Sequence, residues 1–559
     1  MVQGVKRKYR TDSSEAGQQS GMITIERYLA GKDTFRVAPP QEIPTPWPYI
    51  QCGITSEAEN VLRTIMSDCE KICENHSITV RDIKVDILMR KDWEDKGTPC
   101  LIIETKDVNT ARWQEAASDL RDLIQKTQLK DAEAFKVEIR NPSMMYADYS
   151  TCLPNDPDLG RYLDEVQPKI LSMVKEKLQS SWTSIAFHMR GPRSRENQTP
   201  PRPTVLIFVK PNTRYFFEEV ETRLIQILNS PNFPNSNIGT EILAGTVSYA
   251  MRYASDPKSF SHITSTRPYN GMSIGARNLA QETGSLGGWL RLTSKTNPNE
   301  VMDCALTCYH VIEKADEENE QDNDVSGIGF YGANLVPDIE VVWPSNLDEQ
   351  YTRSLCERKV AQGTTKEEFA TALSILNQIR GAGRSIGKIR FASGHATRSP
   401  TNRRLDWVLI PSPNTTQPNR PPQITIHGSK YLEGTYSPKA DDYVREFGPE
   451  LQKNDWVVRA GRTSTRQGFA NWRDRLVRWD NTDKHAHSNE LDVLPIGGEG
   501  DFCDAGDSGS WIVNENFELV AMLIGKANDG GQEHAGIATP IKDLIEDIER
   551  RTHCTVSLP

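Results

Sequence analysis

Gly506-Asp507-Ser508-Gly509-Ser510 decides how the C-terminal half of this sequence is read. A nucleophilic serine needs an exposed hydroxyl on a tight turn and backbone N–H groups aimed at a developing oxyanion. Glycines at −2 and +1 let that backbone come close to a substrate. At average composition this string arises by chance in roughly one of a thousand chains of this length. A tight turn between two strands, without chemistry, is the competing reading.

Such a serine needs a base, and the base needs an orienting carboxylate. Upstream, Cys304-Ala-Leu-Thr-Cys-Tyr-His310 reads as an apolar strand ending in histidine. Between the two lies Leu405-Asp406-Trp407-Val408-Leu409-Ile410, an acid leading an apolar strand. Asp501 and Asp504 lie too close to Ser508 to orient a distant histidine. Asp303 precedes His310 by seven residues on the same strand. His395 and His427 lie near strands, and His485-x-His487 reads as a polar loop pair without a third metal ligand.

Short apolar runs separated by Gly, Asn and Ser surround these motifs. They include GGWLRL (287–292), IGKIRFASG (386–394), ITIHG (424–428), DWVVRAGRTS (455–464), ELVAMLIG (518–525) and GIATP (536–540). Many short strands over about 280 residues predict an all-β barrel or pair of barrels. EKADEENEQDND (313–324) reads as a solvated acidic loop. TKEEFATALSILNQIR reads as a surface helix, and PIKDLIEDIERR (540–551) as a last helix.

These pieces together resemble the trypsin/chymotrypsin-fold (PA clan) serine proteases. GDSGS resembles that family's GDSGG site, LTCYHV its TAAHC site, and LDWVLI its D-I-A-L-L strand. VVRAGRTSTRQG (457–468), SWIVNENFELVAMLIG and GIATPIKDLIEDI resemble the second barrel's strand pair, the hairpin after the nucleophile, and the closing strand and helix. The resemblance covers roughly residues 270–551. It implies a double barrel and a serine endopeptidase acting on proteins or peptides. Ser508 would be nucleophile, His310 general base and Asp406 its orienting acid. The N–H groups of Gly506 and Ser508 would form the oxyanion hole. Asp507 matches the acid that shapes this loop. The base of the S1 pocket would fall at Phe502, and His534 could reach the same pocket. In secreted members a new amine, freed before an Ile or Val, pairs with the acid preceding the serine. Ser273-Ile274-Gly275 lies near the corresponding place.

One departure is informative. Secreted members carry a cysteine directly after the catalytic histidine, where this chain has Val311, and Cys503 is shifted by one from their other position. Ten cysteines fall at irregular spacing with no C-x-x-C pair. Cys69 and Cys73 share a helix face and read as buried thiols. With no signal-like apolar segment in MVQGVKRKYRTDSSEAG, reduced thiols in the cytoplasm or nucleus are expected. This fits the disulfide-free intracellular branches of the family, bacterial-type and fungal.

The N-terminal half reads differently. Residues 1–45 are polar and Pro-punctuated, and are expected to be a disordered tail; Lys6-Arg7-Lys8 is either an import signal or a solvated basic stretch. Residues 46–258 read as an α+β tandem repeat, αββαβ twice. SEAENVLRTIMSDCEKICE, VDILMR, CLIIETK, TARWQEAASDLRDLIQK and FKVEIR make the first copy. LGRYLDEVQPKILSMVKEKL, SIAFHMR, TVLIFVKP, FFEEVETRLIQILN and TEILAGTV make the second. The gaps KDWEDKGTP (91–99) and GPRSRENQTPPRP (191–203) read as hairpin loops. The expected organisation is tail 1–45, repeat domain 46–258, protease domain 259–559.

Composition sets the exclusions. A length of 559 residues is too long for one core, and the prior is about three domains. The net charge of −10 argues against a nucleic-acid binder, and no apolar run reaches the ~20 residues of a membrane helix. No cofactor or metal is expected. Two functions from other classes stay open: a catalytically silent protease-fold scaffold, and an adaptor whose working part is the repeat domain, itself otherwise a regulatory module.

Overall fold

The computed structural model describes residues 21–559 apart from 40–42, 44, 46, 48, 55, 90–96, 128–133, 195, 196, 198, 230–236, 251–265, 331–337, 363–366, 413–416, 423–441, 452–453, 480–486, 497–499 and 529–533. The basic stretch 6–8, most of the loop 91–99, the apolar run 424–428 with His427, and His485 lie outside the described residues. No helix among the described residues is long and apolar enough to cross a membrane.

The N-terminal half holds two sheets, each backed by helices. In the first, the strands run in the order Arg36–Val37, Lys136–Arg140, Thr98–Thr105, Val80–Met89, Ile50–Gly53. Helices Ser56–Asn75 and Trp113–Gln125 cover it, burying Cys69, Cys73, Trp113, Ala116, Leu120 and Ile124. In the second, Trp182–Pro192 pairs antiparallel with Arg202–Val209, which pairs parallel with Gly239–Ala244. Asp156 caps the helix Pro157–Leu178 through the N–H groups of Asp158 and Leu159, and proline opens its first turn. Its buried residues Tyr162, Val166, Ile170, Val174 and Leu178 recur at four-residue intervals, so they form one stripe against the sheet. Each buried aliphatic of this kind contributes about 1.5–3 kcal/mol.

The segment expected to be a disordered tail, residues 1–45, instead contributes ordered pieces. Thr24 caps the helix Ile25–Lys32 by accepting the Arg27 N–H, and Ile25 and Tyr28 are buried. Arg36–Val37 joins the first sheet, where Arg36 makes a bidentate buried ion pair with Glu138 at 2.8 and 2.7 Å. An eight-residue helix shows too little periodicity to be read locally; its stability comes from tertiary packing.

The C-terminal half contains a closed six-stranded barrel and an open half-barrel. Trp456–Ala460, Thr465–Ala470, Ser488–Pro495, Ala535–Pro540, Leu519–Asn528 and Trp511–Val513 pair in that order, and the last returns to the first. Two further sheets, among the described residues, do not join into a second closed barrel. One carries Ser273–Ala276, Gly284–Ser285, Glu340–Val342 and Ser385–Lys388. The other carries Gly288–Ser294, Val301–Thr307, Phe391–Ala392, Val408–Pro411 and the terminal Cys554–Ser557. Two helices, Asn346–Ala361 and Glu367–Gly381, are inserted between strands of the first of these sheets.

The halves share a sheet. Strand Trp182–Pro192 pairs with Arg475–Val477, which pairs with barrel strand Ser488–Pro495. At this seam His188 Nε2 lies 2.7 Å from Asp492 Oδ2, and Arg475 binds the same carboxylate at 3.1 Å through two nitrogens. All three side chains are fully buried. The run TEILAGTV, read as one strand, divides at Gly245. Its first part stays in the N-terminal sheet, and Thr246–Tyr249 crosses to pair antiparallel with barrel strand Leu519–Asn528. A Cβ at Gly245 would stand 2.6 Å from the Phe208 ring and 2.7 Å from the Asn528 carbonyl oxygen, so the crossing needs glycine.

Candidate active site

His310 sits in the single 3-10 turn Tyr309–Val311 that follows strand Val301–Thr307. Asp406 precedes strand Val408–Pro411, and Thr307 pairs with Val408. The register alone therefore brings the two residues together. His310 Nδ1 lies 2.6 Å from Asp406 Oδ2, and the His310 backbone N–H donates to Asp406 Oδ1 at 3.1 Å. Both side chains are fully buried. Burial pushes the Asp406 carboxyl up, but the charge and hydrogen bond of His310, with His395 and Arg404 beyond, outweigh it and hold the group below the ordinary carboxylate range.

Ser508 lies on a turn wedged between the half-barrel and the closed barrel. Gly506 and Gly509 have φ of +94° and +89°, a region L side chains rarely enter. A Cβ on Gly509 would stand 2.3 Å from Thr307 Oγ1 and 2.5 Å from the Ser285 carbonyl oxygen. The Ser285 N–H donates to the Ser508 carbonyl at 2.8 Å and its hydroxyl to the Gly506 carbonyl at 2.9 Å. From the other side, Gly509 N–H donates to Leu523 at 2.9 Å. The turn thus packs against the strand end that leads to His310. Ser508 Oγ and His310 Nε2 are both buried and make no hydrogen bond.

Asp507 is fully buried and accepts from the Arg459 guanidinium at 2.7 Å, Thr463 N–H at 2.7 Å and Asp504 N–H at 2.9 Å. Arg459, not a freed chain terminus, is the cation beside this acid. Ile274, at the place where such a terminus would fall, is buried within strand Ser273–Ala276. Replacing Arg459 with methionine leaves a buried carboxylate uncompensated, which costs about 3–5 kcal/mol. Urea unfolding should show that loss, and adding Asp507→Asn to the same chain should recover part of it.

The expected pocket residues are placed as follows. Phe502 is fully buried among apolar barrel residues, with Arg459 over its ring at 5.3 Å. His534 is fully buried; its N–H donates to Asp501 at 2.7 Å and its Nδ1 lies 3.1 Å from the same carboxylate. His395 accompanies the site: it bonds Glu313, and its backbone N–H reaches the Asp324 carbonyl at 2.8 Å. The acidic run 313–324 is therefore not merely a solvated loop. It folds into a 3-10 turn and the start of helix Glu320–Ser326, docked through Glu313, Asn323 and the Tyr309 hydroxyl on Asp324 at 2.9 Å. His487 is paired with Lys175 at 3.2 Å. Burial first, then Lys175 and Arg398, push its pKa down to about 4.

The residues missed by sequence reasoning come from outside the motifs. Tyr249 stacks on His310 with ring centroids 4.3 Å apart, and on Trp479 at 5.1 Å. The next residue, Ala250, accepts a hydrogen bond from the Gly506 N–H through its carbonyl oxygen. Arg404 lies over the Tyr249 ring at 5.0 Å and over Trp479 at 4.9 Å. Beneath it, Glu490 Oε1 accepts the Arg404 backbone N–H at 2.9 Å.

Burial raises the Glu490 pKa to about 7. An acid whose folded pKa lies above its unfolded value, about 4.3, stays protonated in the fold while the unfolded chain ionises. That contribution is present at acid pH and is lost as pH rises from about 4.3 to 7. Thermal unfolding of a Glu490→Gln chain should fall less between pH 5 and pH 8 than that of the parent.

All ten cysteines are free thiols. Comparison with known proteins gives a match between residues 255–557 and the model of peptidase family S64. No curated protein matches. Among solved structures, Thermobifida fusca protease A is 12% identical over 52% of this chain and 98% of its own, with a TM-score of 0.26. A glutamic acid specific serine protease, described as using a histidine triad in substrate binding, is 12% identical over 52% and 100%, with a TM-score of 0.26. Cellulomonas bogoriensis chymotrypsin is 10% identical over 52% and 97%, with the same score, 0.26.

Proposed function

From the premise that this chain belongs to peptidase family S64, and so is a serine-type peptidase, we propose that Ser508, His310 and Asp406 form its catalytic triad and that its own strand Thr246–Tyr249 regulates it by occupying the cleft. One observation carries the first part: a buried His310–Asp406 pair at 2.6 Å whose free ring nitrogen and the Ser508 hydroxyl are both left without a hydrogen-bond partner. Ser508 Oγ adds to the scissile carbonyl carbon as His310 Nε2 takes its proton. The N–H groups of Gly506 and Ser508 hold the resulting oxyanion, each such donor being worth roughly 2.7–4 kcal/mol. The imidazolium then protonates the leaving amine, and water resolves the acyl-enzyme by the same steps in reverse. Asp406 fixes the imidazole with its proton on Nδ1. No cofactor is required by this scheme.

The second part rests on the hydrogen bond from Gly506 N–H to the Ala250 carbonyl. It lies where an oxyanion would be held, and the strand before it pairs with Leu519–Asn528 as an extended substrate would. The chain is its own first substrate, cut after Ala250, and the N-terminal sheets hold the strand Thr246–Tyr249 in the cleft. Substrates are proteins or peptides. Ten free thiols agree with a reducing compartment, the cytoplasm or nucleus. A fluorophosphonate probe tests the assignment. Label on Ser508 is expected once the cleft is open; absence of label together with absence of self-cleavage would sink the peptidase assignment for this serine.

A further inference from the structure

Tyr249 and Ala250 occupy surroundings that differ sharply from one another. The Tyr249 ring is set among planar groups: His310 at 4.3 Å, Trp479 at 5.1 Å and His395 at 5.5 Å, each within about 25° of parallel. The Arg404 guanidinium completes the box at 5.0 Å. Arg404 is fully buried, and none of its three guanidinium nitrogens has a hydrogen-bond partner. A buried cation without an acceptor is stabilised here by ring faces, which present negative charge to it. The carboxylates of Asp406, Glu313 and Asp324 act on the same phenol. They oppose the Arg404 cation, which acts on this phenol more strongly than any one of them.

Ala250 has the opposite setting. It is fully buried within the apolar cluster that contains Phe502, Cys503, Ile512 and Leu523. Phe502 belongs to the same cluster and is itself tightly held. Its ring lies so close to Gly468 and Gly536 that a Cβ on either would stand 2.9 or 2.4 Å from it. A side chain much larger than a methyl has nowhere to go without displacing this packing.

We propose that Arg404, Trp479 and His395 form a subsite for an aromatic residue, and that Phe502 restricts the adjoining subsite to a small one, so that this peptidase cuts extended segments after an aromatic–small pair. This rests on the peptidase reading above and names its substrate class. Tyr249-Ala250 is the pair carried by the chain itself, and other protein substrates are selected by the same two surfaces. The Phe502 side chain acts from beneath the pocket as a floor, while Arg404 and Trp479 act on the substrate ring directly.

The full-length chain tests this through its own bond between Ala250 and Met251. The rate of cleavage is read by mass, and its position by N-terminal sequencing of the C-terminal product. Tyr249→Phe and Ala250→Gly should remain within about threefold of the parent, since each keeps the class of side chain. Tyr249→Leu should slow cleavage at least about tenfold, and Ala250→Phe about a hundredfold. Arg404→Leu should slow the parent sequence while barely changing the Tyr249→Leu chain, which a merely structural role would not predict. Equal rates for the parent and Tyr249→Leu, or undiminished cleavage in Ala250→Phe, would overturn the subsites. So would a parent chain that labels at Ser508 yet never opens this bond; that result leaves the peptidase reading standing. A parent that neither labels nor cleaves removes the peptidase reading itself, and the subsites with it.

Discussion

Ser508→Ala should abolish turnover, lowering kcat by about a millionfold, and leave the fold intact. The magnitude follows from the nucleophile's role: without Oγ no acyl-enzyme forms, and only the oxyanion donors and substrate positioning remain. The second half follows from the structure. Ser508 Oγ makes no hydrogen bond, so its removal strands no partner and leaves the turn's own anchors, Ser285, Leu523 and Asp507, in place. The expected result is therefore an uncut full-length chain, unlabelled by fluorophosphonate, with the melting temperature of the parent before processing. Continued cutting after Ala250 in that variant would mean that another nucleophile does the work.

Asp406→Asn should lower kcat by about ten-thousandfold while retaining the loop's geometry. The carboxylate accepts two hydrogen bonds, from the His310 backbone N–H on Oδ1 and from Nδ1 on Oδ2. An amide can accept only one of them. The backbone N–H has no alternative but to donate, so the amide oxygen serves it and the amide NH2 faces Nδ1. Nδ1 must then give up its proton, and the proton moves to Nε2. A ring with Nε2–H cannot take the proton of Ser508. Single-turnover kinetics should show the loss in acylation, with binding of a product-like peptide little changed. Loss of less than about tenfold would argue that Asp406 does not set the tautomer.

The parts of the site legible in the sequence are those in which chemistry and local backbone coincide. GDSGS declares its glycines because the turn needs them, and His310 and Asp406 each stand at the end of an apolar strand. The pairing of Thr307 with Val408 then does the rest. What escaped was non-local. Nothing in TEILAGTVSYA indicates that its last residues leave one sheet for another, because the partner strand is about 280 residues further on. Arg404 is directly beside the motif LDWVLI, yet its importance comes from rings at 249 and 479. Arg459 lies inside VVRAGRTST, a stretch noted for its strand pattern, and its ion pair with Asp507 could not be read from spacing. The acidic run 313–324 reads as solvent-facing because seven acids stand with one lysine; His395, more than 70 residues away, pairs with Glu313.

The pairing of Trp182–Pro192 with Arg475–Val477 has a consequence for what a cut after Ala250 achieves. Before the cut, the strand Thr246–Tyr249 is tethered on both sides, and its effective concentration at the cleft is that of a short linker, in the millimolar range or above. Afterwards one tether remains, because the N-terminal sheets still hold the barrel through the buried Asp492 with His188 and Arg475. The new carboxylate at Ala250 is thus presented to the oxyanion donors as a product that diffusion does not carry off. Self-cleavage then counts as one turnover and not as activation. On the proposal of cleft occupancy, multiple turnover would require separating two halves of one continuous sheet.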